Sequence, residues 1–531
     1  MGGGGYPGFR TCLRAGCLAI SIALTVATTF GVCGSESSAS APASYPAPLS
    51  TSNINLIFVV SEDLAYQAQG DINPSTANLT DRGLQRSLRM ARFLQRRILG
   101  KKNVTGIYVL EPMTHLQTAN NNKYPDMVSA ETVQQFALLN HITLSSALPP
   151  EYFPYTGNSY PLNASYAPGS VPSEVATPIP TPGITGSGYC GNCQGLDFKD
   201  QNSNNEALVA GIVAAGVPGF YVFSAPWETT KALLTNINDI EDYNLSLPAS
   251  YQGPNYIYAI SVTPSGIPSL ITYNSHVSPG SKYPALPAPK PKIGTQCTQQ
   301  AAFAIEVDNV YGSTIAPSNT SETLYIVRHA DAHPLDYWTD GNYVCAGQWR
   351  ALDLPNALRG KVSPDQVYSN DPAQLSPGTE GFSWSSVAPP LTVEPYAIAN
   401  NLPYNLAASF ILSSANEAEA QQSAQESSDF FFGTHFTSGK ITPAPLSNQT
   451  VLLGWSYQFI APMVNELISS YFPPGTCSQV PSPCPQAPAW PSTDYDTIWT
   501  VKLDADGNLT VNNMKCEGID STKLPATCPQ F

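Results

Sequence analysis

Arg328 and His329 stand side by side directly after an apolar run, Leu324-Tyr325-Ile326-Val327. A histidine at the end of a strand can act as a nucleophile, as a proton donor or acceptor, or as a metal ligand. The arginine beside it offers a planar fork of donors to an oxyanion. The pair therefore suits attack on a phosphoryl group, with the imidazole on phosphorus and the guanidinium on its oxygens. Taken alone, two such residues are as compatible with a surface arginine and a half-buried histidine that do no chemistry. Their neighbours supply further candidates. His333 lies four residues on, and His435 sits in FFFGTHFTSG. Asp331, Asp371 and Glu394 are carboxylates that could move a proton, and Tyr457 could donate to an anion. Cys190-Gly-Asn-Cys193 has the spacing of half a zinc site, but no second Cys-x-x-Cys accompanies it, and a short-loop disulfide fits it better.

The elements that must position these residues are written twice. INLIFVVSED, ending at Asp63, and TLYIVRHAD, ending at Asp331, are apolar strands that run into acidic residues. Each is followed by a helix-like stretch, 79–99 with apolar residues near helical spacing and 343–360. Next come strands ending in an acid-Pro step, 107–112 and 367–372. GFYVFSAPWETTKALL (219–234) then answers TVLLGWSYQFIAPMV (450–464), each a strand, a Trp and a helix. Residues 256–274 and 497–513 read as hairpins turning at Gly266 and Gly507. Strand, helix, strand, strand, helix is an α/β pattern with a mostly parallel sheet. Such sheets hold ligands beyond the carboxyl ends of their strands, which places Ser61 and His329 at the candidate sites. Trp227 and Trp455 read as core, and the acidic stretch 416–429 reads as a solvated helix face.

LYIVRHADAHP resembles the opening strand and Arg-His signature of the histidine phosphatase superfamily, the phosphoglycerate mutase-like fold. LTDRGLQR (79–86) is similar to that family's helix start, with a weaker form in VCAGQWRA (344–351). EPMTHLQTA resembles the segment carrying the family's second pocket arginine, and VLLGWSY and YVFSAPWET resemble its last core strand. The resemblance implies two tandem three-layer α/β/α domains with mostly parallel central sheets. It implies boundaries at 53–285 for a degenerate domain and 320–531 for a domain with the Arg-His signature, joined by a Pro-rich linker, 286–319. It also implies a metal-independent, cofactor-free phosphohydrolase chemistry in which His329 is phosphorylated and Arg328 holds phosphoryl oxygens. Asp331, His333 and Tyr457 are then the expected substrate-binding residues. The second-arginine position falls near Gln374 or Ala388 and the second-histidine position at Tyr457, none of them basic. In the first copy Val60-Ser61 replace Arg-His, His115 stands near the second arginine and Thr229 at the second histidine. The implied function is a degenerate module, weakly active or non-catalytic, that binds a small phosphorylated or anionic ligand; the alternative is a phosphomonoester hydrolase working through a phosphohistidine at His329.

Composition fits an exported chain. Of 531 residues only 12% are charged, and the net charge of -15 argues against a nucleic-acid partner. Leu18–Val32 runs without a charge for 15 residues, the length of a signal-peptide apolar region and short for a membrane span. Residues 1–33 are therefore expected to be a signal peptide and 34–52 a flexible Ser/Ala/Pro tether, with no membrane span in the mature chain. Cys33 closes the apolar run where a lipid anchor would sit. Eight of the 11 cysteines follow this leader, an even number that suits disulfides in an oxidising compartment. Cys477 with Cys484 and Cys516 with Cys528 are plausible local pairs. Asn78, Asn103, Asn163, Asn244, Asn319, Asn448 and Asn508 lie in glycosylation sequons.

Overall fold

Seven consecutive residues, Ile54–Val60 (β1), form the central strand of the first sheet, buried along nearly its whole length as a β-branched and aromatic run requires. The computed structural model describes residues 45–66, 70–102, 104–110, 114–119, 122–139, 142–143, 158–159, 195–200, 203–279, 300–310, 317–331, 345–370, 375–377, 383–385, 388–407, 412–434, 443–479 and 481–524. Around β1 stand Gly106–Val109 (β2), Gly219–Ala225 (β3), Tyr256–Val262 (β4) and Pro268–Asn274 (β5), in the order β2-β3-β1-β4-β5. The second sheet comprises Ala304–Val307 (β6), Glu322–Arg328 (β7), Gln366–Asn370 (β8), Tyr404–Ala407 (β9), Thr450–Trp455 (β10), Thr497–Leu503 (β11) and Leu509–Cys516 (β12). Its order is β6-β12-β11-β7-β10-β8-β9.

Both sheets are mixed rather than mostly parallel. In the first, β2, β3 and β1 are parallel while β1-β4 and β4-β5 are antiparallel. In the second, β9, β8, β10 and β7 are parallel while β7-β11, β11-β12 and β12-β6 are antiparallel. The cause is local. β4 turns into β5 at Gly266 and β11 into β12 at Gly507, both with positive φ, and a tight turn can only join antiparallel neighbours.

Eight α-helices cover the sheets among the described residues: Asp81–Phe93 (α1), Val128–Leu139 (α2), Asn204–Ala215 (α3), Trp227–Ile240 (α4), Cys345–Ala357 (α5), Ala388–Asn400 (α6), Glu417–Phe432 (α7) and Tyr457–Ser469 (α8). Side chains of β1 alternate between two cores. Ile57 and Val59 pack with Met90, Ala91, Val133 and Phe136 of α1 and α2, while Leu56, Phe58 and Val60 pack with residues of α3 and α4. The α1/α2 core also takes in Ala330, Ala351, Ala388 and Leu391, so the two sheets meet through their helices. Asn78 Nδ2 donates to the Leu402 carbonyl at 2.7 Å across the same boundary.

Several sequence-based expectations change. The acidic stretch 416–429 is a solvated face only in its first half: 416–418, 421 and 422 are exposed, whereas Ser423, Ala424 and residues 426–432 are buried, because the Phe430-Phe431-Phe432 end enters the second core. The Pro-rich stretch 286–319 contains β6, which adds an edge strand to the second sheet. In the tether, Leu49 is buried and its amide donates to the Ile98 carbonyl at 2.9 Å, so residues 45–52 are laid down on the first half. Asn78 and Asn319 are buried and hydrogen-bonded to backbone, which closes both sequons in the folded chain. Trp227 and Trp455 are core residues as expected. Cys477 and Cys484 are bonded to each other, and Cys516 is in a disulfide. Cys190, Cys193, Cys297 and Cys528 lie outside the described residues.

The LTDRG motif has a steric basis. Thr80 caps α1, its Oγ1 accepting from the Gly83 amide at 3.1 Å. A Cβ on Gly83 would sit 2.2 Å from the Asp71 carbonyl oxygen and 2.9 Å from a Leu79 methyl. Helix propensity alone favours alanine at this position by about 1 kcal/mol. Because the obstacle is backbone, Gly83→Ala is expected instead to destabilise the protein, by about 1–3 kcal/mol, in urea unfolding.

Candidate functional site

Strand β7 delivers Arg328 and His329 to the carboxyl edge of the second sheet. Arg328 is the last ladder residue, opposite Trp455 of the parallel strand β10. The His329 amide extends that pairing by one more bond, to the Trp455 carbonyl at 3.0 Å. The next amide, of Ala330, donates to Thr392 Oγ1 at 2.7 Å, which ties the strand end to α6. Helix α8 begins two residues after β10, so Tyr457, its first residue, stands beside the strand end.

The Arg328 guanidinium is buried between two aromatic rings. Its central carbon lies 4.1 Å from the ring centre of Tyr457 and 3.7 Å from that of Tyr495. Such contacts are worth about 2 kcal/mol each when desolvated. Its Nη1 donates to the carbonyls of Pro491 (3.3 Å), Ser492 (2.5 Å) and Asp494 (3.3 Å). Three carbonyls on one nitrogen direct that side of the fork at the 491–494 loop.

The His329 imidazole is nearly buried, at 8% exposure. Its Nδ1 lies 2.9 Å from the Ala330 carbonyl, which can only accept, so the proton sits on Nδ1 and the Nε2 lone pair is left for chemistry. Burial first, and then the neighbouring Arg328 charge, push its pKa down to about 3, although the Ala330 contact works the other way. The ring is therefore neutral at ordinary pH, the form a nucleophile or ligand needs. Arg328 is the one charge among the described residues that acts on it. The Tyr457 and Tyr495 ring centres both lie 6.1 Å from the imidazole.

Asp331 is placed differently. Its Oδ2 receives Arg350 Nε at 2.5 Å, and both side chains are fully buried. The same guanidinium reaches Glu517 Oε2 at 2.6 Å, the Ile519 carbonyl at 3.1 Å and Ser521 Oγ at 2.8 Å. The structure thus brings Arg328, His329 and Tyr457 together and engages Asp331 in an ion pair behind them. His333, His435, Asp371 and Gln374 lie outside the described residues. Ala388 and Glu394 are buried on α6.

As His329 is the first residue beyond β7, Ser61 is the first beyond β1. Its amide donates to the Ala225 carbonyl at 3.0 Å, and its Oγ is 2.8 Å from Ser129 Oγ on α2. Thr229 is buried, donating to the Phe198 carbonyl at 3.0 Å. Arg86 on α1 donates from Nε to Asp71 Oδ2 at 2.5 Å.

Two site residues escaped the sequence reading. Arg350 had a signal, since it stands three residues after Gly347 as Arg86 stands three after Gly83, each inside a helix. Tyr495 had none, because it reaches Arg328 from a loop far along the chain.

No family model matches the chain, and no curated protein matches it. Among solved structures the chain is similar to one titled "Structure of the protein histidine phosphatase SixA complexed with tungstate", at 20% identity over 37% of this chain and 97% of that one, with a TM-score of 0.19. It is similar also to "Mycobacterial hydrolase 2", at 11% identity over 37% of this chain and 91% of that one, with a TM-score of 0.18.

Two outcomes are expected. Arg350→Ala leaves Asp331 and Glu517 buried without their counter-charge and should cost about 3–5 kcal/mol in chemical denaturation. The His329 ring should stay neutral, with its proton on Nδ1, when nitrogen chemical shifts are followed down to pH 5. The folded state resists protonation that the unfolded chain accepts near 6.5. The stability His329 contributes is thus full above about 6.5 and lost as pH falls toward about 3.

Proposed function

We propose that this chain is an exported, histidine phosphatase-like protein that arose by tandem duplication. Its second half keeps an imidazole able to accept a phosphoryl group, but turnover is weak or absent, and the site serves to bind a small phosphorylated or otherwise anionic ligand. The halves are 53–285 and 320–531. Their kinship is supported by the shared strand order: β8-β10-β7-β11-β12 runs like β2-β3-β1-β4-β5, with the same parallel and antiparallel neighbours. Ser61 and His329 also make the same 3.0 Å amide bond to the neighbouring parallel strand end. Export is supported by the apolar leader and by the Cys477–Cys484 disulfide.

One observation carries the degenerate reading. Phosphoryl transfer spreads negative charge over three oxygens, and catalysis is largely the placing of positive charge against them. Among the described residues Arg328 is the one charge acting on His329, and its Nη1 is turned to the 491–494 carbonyls. Loss of one preorganised donor typically costs about 10²–10³ in rate. In this reading Tyr457 walls the ligand site, and Asp331 acts through Arg350 rather than on the ligand.

The second reading, a phosphomonoester hydrolase, is favoured by the tautomer. With Nδ1 holding the proton, Nε2 can attack phosphorus; the ester oxygen leaves with a proton from a carboxylic acid, and water later cleaves the phosphohistidine. The test is hydrolysis of an aryl phosphate by the folded chain at acid and neutral pH, alongside binding of orthophosphate. Slow or absent turnover is expected, with orthophosphate binding that His329→Ala weakens at least about tenfold. Turnover that survives His329→Ala, or rapid turnover by the parent chain, would overturn the proposal.

A further inference from the structure

A second cluster of reactive side chains stands at the carboxyl edge of the first sheet. Asp63 lies three residues beyond β1, His115 directly precedes the short strand Leu116–Ala119, and Asp126 lies two residues before the start of α2. His115 Nδ1 is 2.8 Å from Asp126 Oδ2 and 3.6 Å from Asp63 Oδ2, and the three donor atoms lie within 4.8 Å of one another. Both carboxylates are buried, with side-chain exposures of 3% and 0%, and the imidazole is 15% exposed.

Each donor is aimed by its surroundings. Asp63 Oδ1 accepts from the Ala65 amide at 2.6 Å, and Asp126 Oδ1 accepts from the Val128 amide at 3.1 Å. Each therefore turns Oδ2 toward the imidazole. The Phe198 ring stacks on His115 at 3.8 Å between centres and fixes its plane. Gln117 Nε2 is 3.5 Å from Asp63 Oδ2.

The charges do not balance within the cluster. Even with His115 protonated, two carboxylates face one positive charge, and Glu228 adds a further negative field. Burial and the Asp126 charge push Asp63 up to about 6, while the neighbouring carboxylates raise His115 against the effect of its burial. A set of one imidazole nitrogen and two carboxylate oxygens is a mixed donor set suited to a first-row divalent ion, and three protein donors leave a position open. Tetrahedral bonds of about 2.0–2.2 Å place donor atoms roughly 3.3–3.6 Å apart. The 3.6 Å pair already fits, and the 2.8 Å pair need open only by about half an ångström.

We propose that Asp63 Oδ2, His115 Nδ1 and Asp126 Oδ2 bind one divalent transition-metal ion of the zinc class at the carboxyl edge of the first sheet. Binding takes the proton off His115 Nδ1, so affinity falls as the pH is lowered. The site shares no residue with the His329 pocket and stands independently of the function proposed for it.

The experiment uses the full chain, stripped of metal with a chelator and dialysed, then titrated with Zn²⁺ by calorimetry and with Co²⁺ by visible absorption. One saturable site is expected, with the spectrum of a low-symmetry, four- or five-coordinate Co²⁺ complex, and with a melting temperature raised by Zn²⁺. His115→Gln and Asp126→Asn should each weaken binding at least about 100-fold, more than the loss of an outer-sphere partner costs, and abolish the thermal shift. Asp63→Asn, which keeps the Ala65 contact, replaces either variant that does not fold. His276→Gln, at an exposed histidine, should leave binding unchanged. Absence of a saturable site, or binding that survives in the folded His115 and Asp126 variants, would overturn the proposal.

Discussion

A guanidinium withdrawn from water must find acceptors or aromatic faces for its charge, and the carboxyl edge of the second sheet is organised around two that have been withdrawn. Arg350 is fully buried and joins α5 to the end of β7 through Asp331 and to the end of β12 through Glu517. Arg328 is buried as well and pins the 491–494 loop and two tyrosine rings to the same edge. The isolated cost of burying such a charge is several kcal/mol, and it is met only when all these segments are in place together. The shape of the site is thus a by-product of satisfying two cations.

That arrangement decides what His329 is. The imidazole has one ring nitrogen held by its own chain neighbour and, among the described residues, no carboxylate acting on its charge, so burial and Arg328 keep it neutral. In the first half the balance is reversed. The residue beyond β1 is a serine, Ser61, and His115 stands among carboxylates. Two sheets of like strand order therefore hold their histidines in opposite fields, beside an arginine at one edge and among carboxylates at the other.

The halves are also mechanically joined. Small residues of α5, α6 and the strand end, Ala351, Ala388 and Ala330, share a core with α1 and α2, and Asn78 crosses to the Leu402 carbonyl. Small side chains permit such close approach, and Gly454 shows the limit: a Cβ there would lie 2.6 Å from a Val393 methyl on α6. The pocket strand β10 and helix α6 are set against each other by that contact.

The sequence by itself determined what depends on near neighbours. Apolar runs placed β1 and β7, Gly266 and Gly507 placed the hairpin turns, the glycine of LTDRG placed the start of α1, and the residue after Arg328 was marked as a strand end. These follow from periodicity and from backbone conformations that few residues adopt. What the chain order did not reveal was decided by contacts between distant segments. Periodicity does not encode strand direction, so mixed sheets were read as mostly parallel. A run of acids and serines looks solvated until three phenylalanines beyond it are drawn into a core. Asp331 looked like a ligand contact until Arg350 claimed it, and the partners of Arg328 and Arg350 lie 166 and 167 residues further on, at Asp494 and Glu517. A charge takes whatever partner the fold brings within about 4 Å, and only the tertiary structure says which that is.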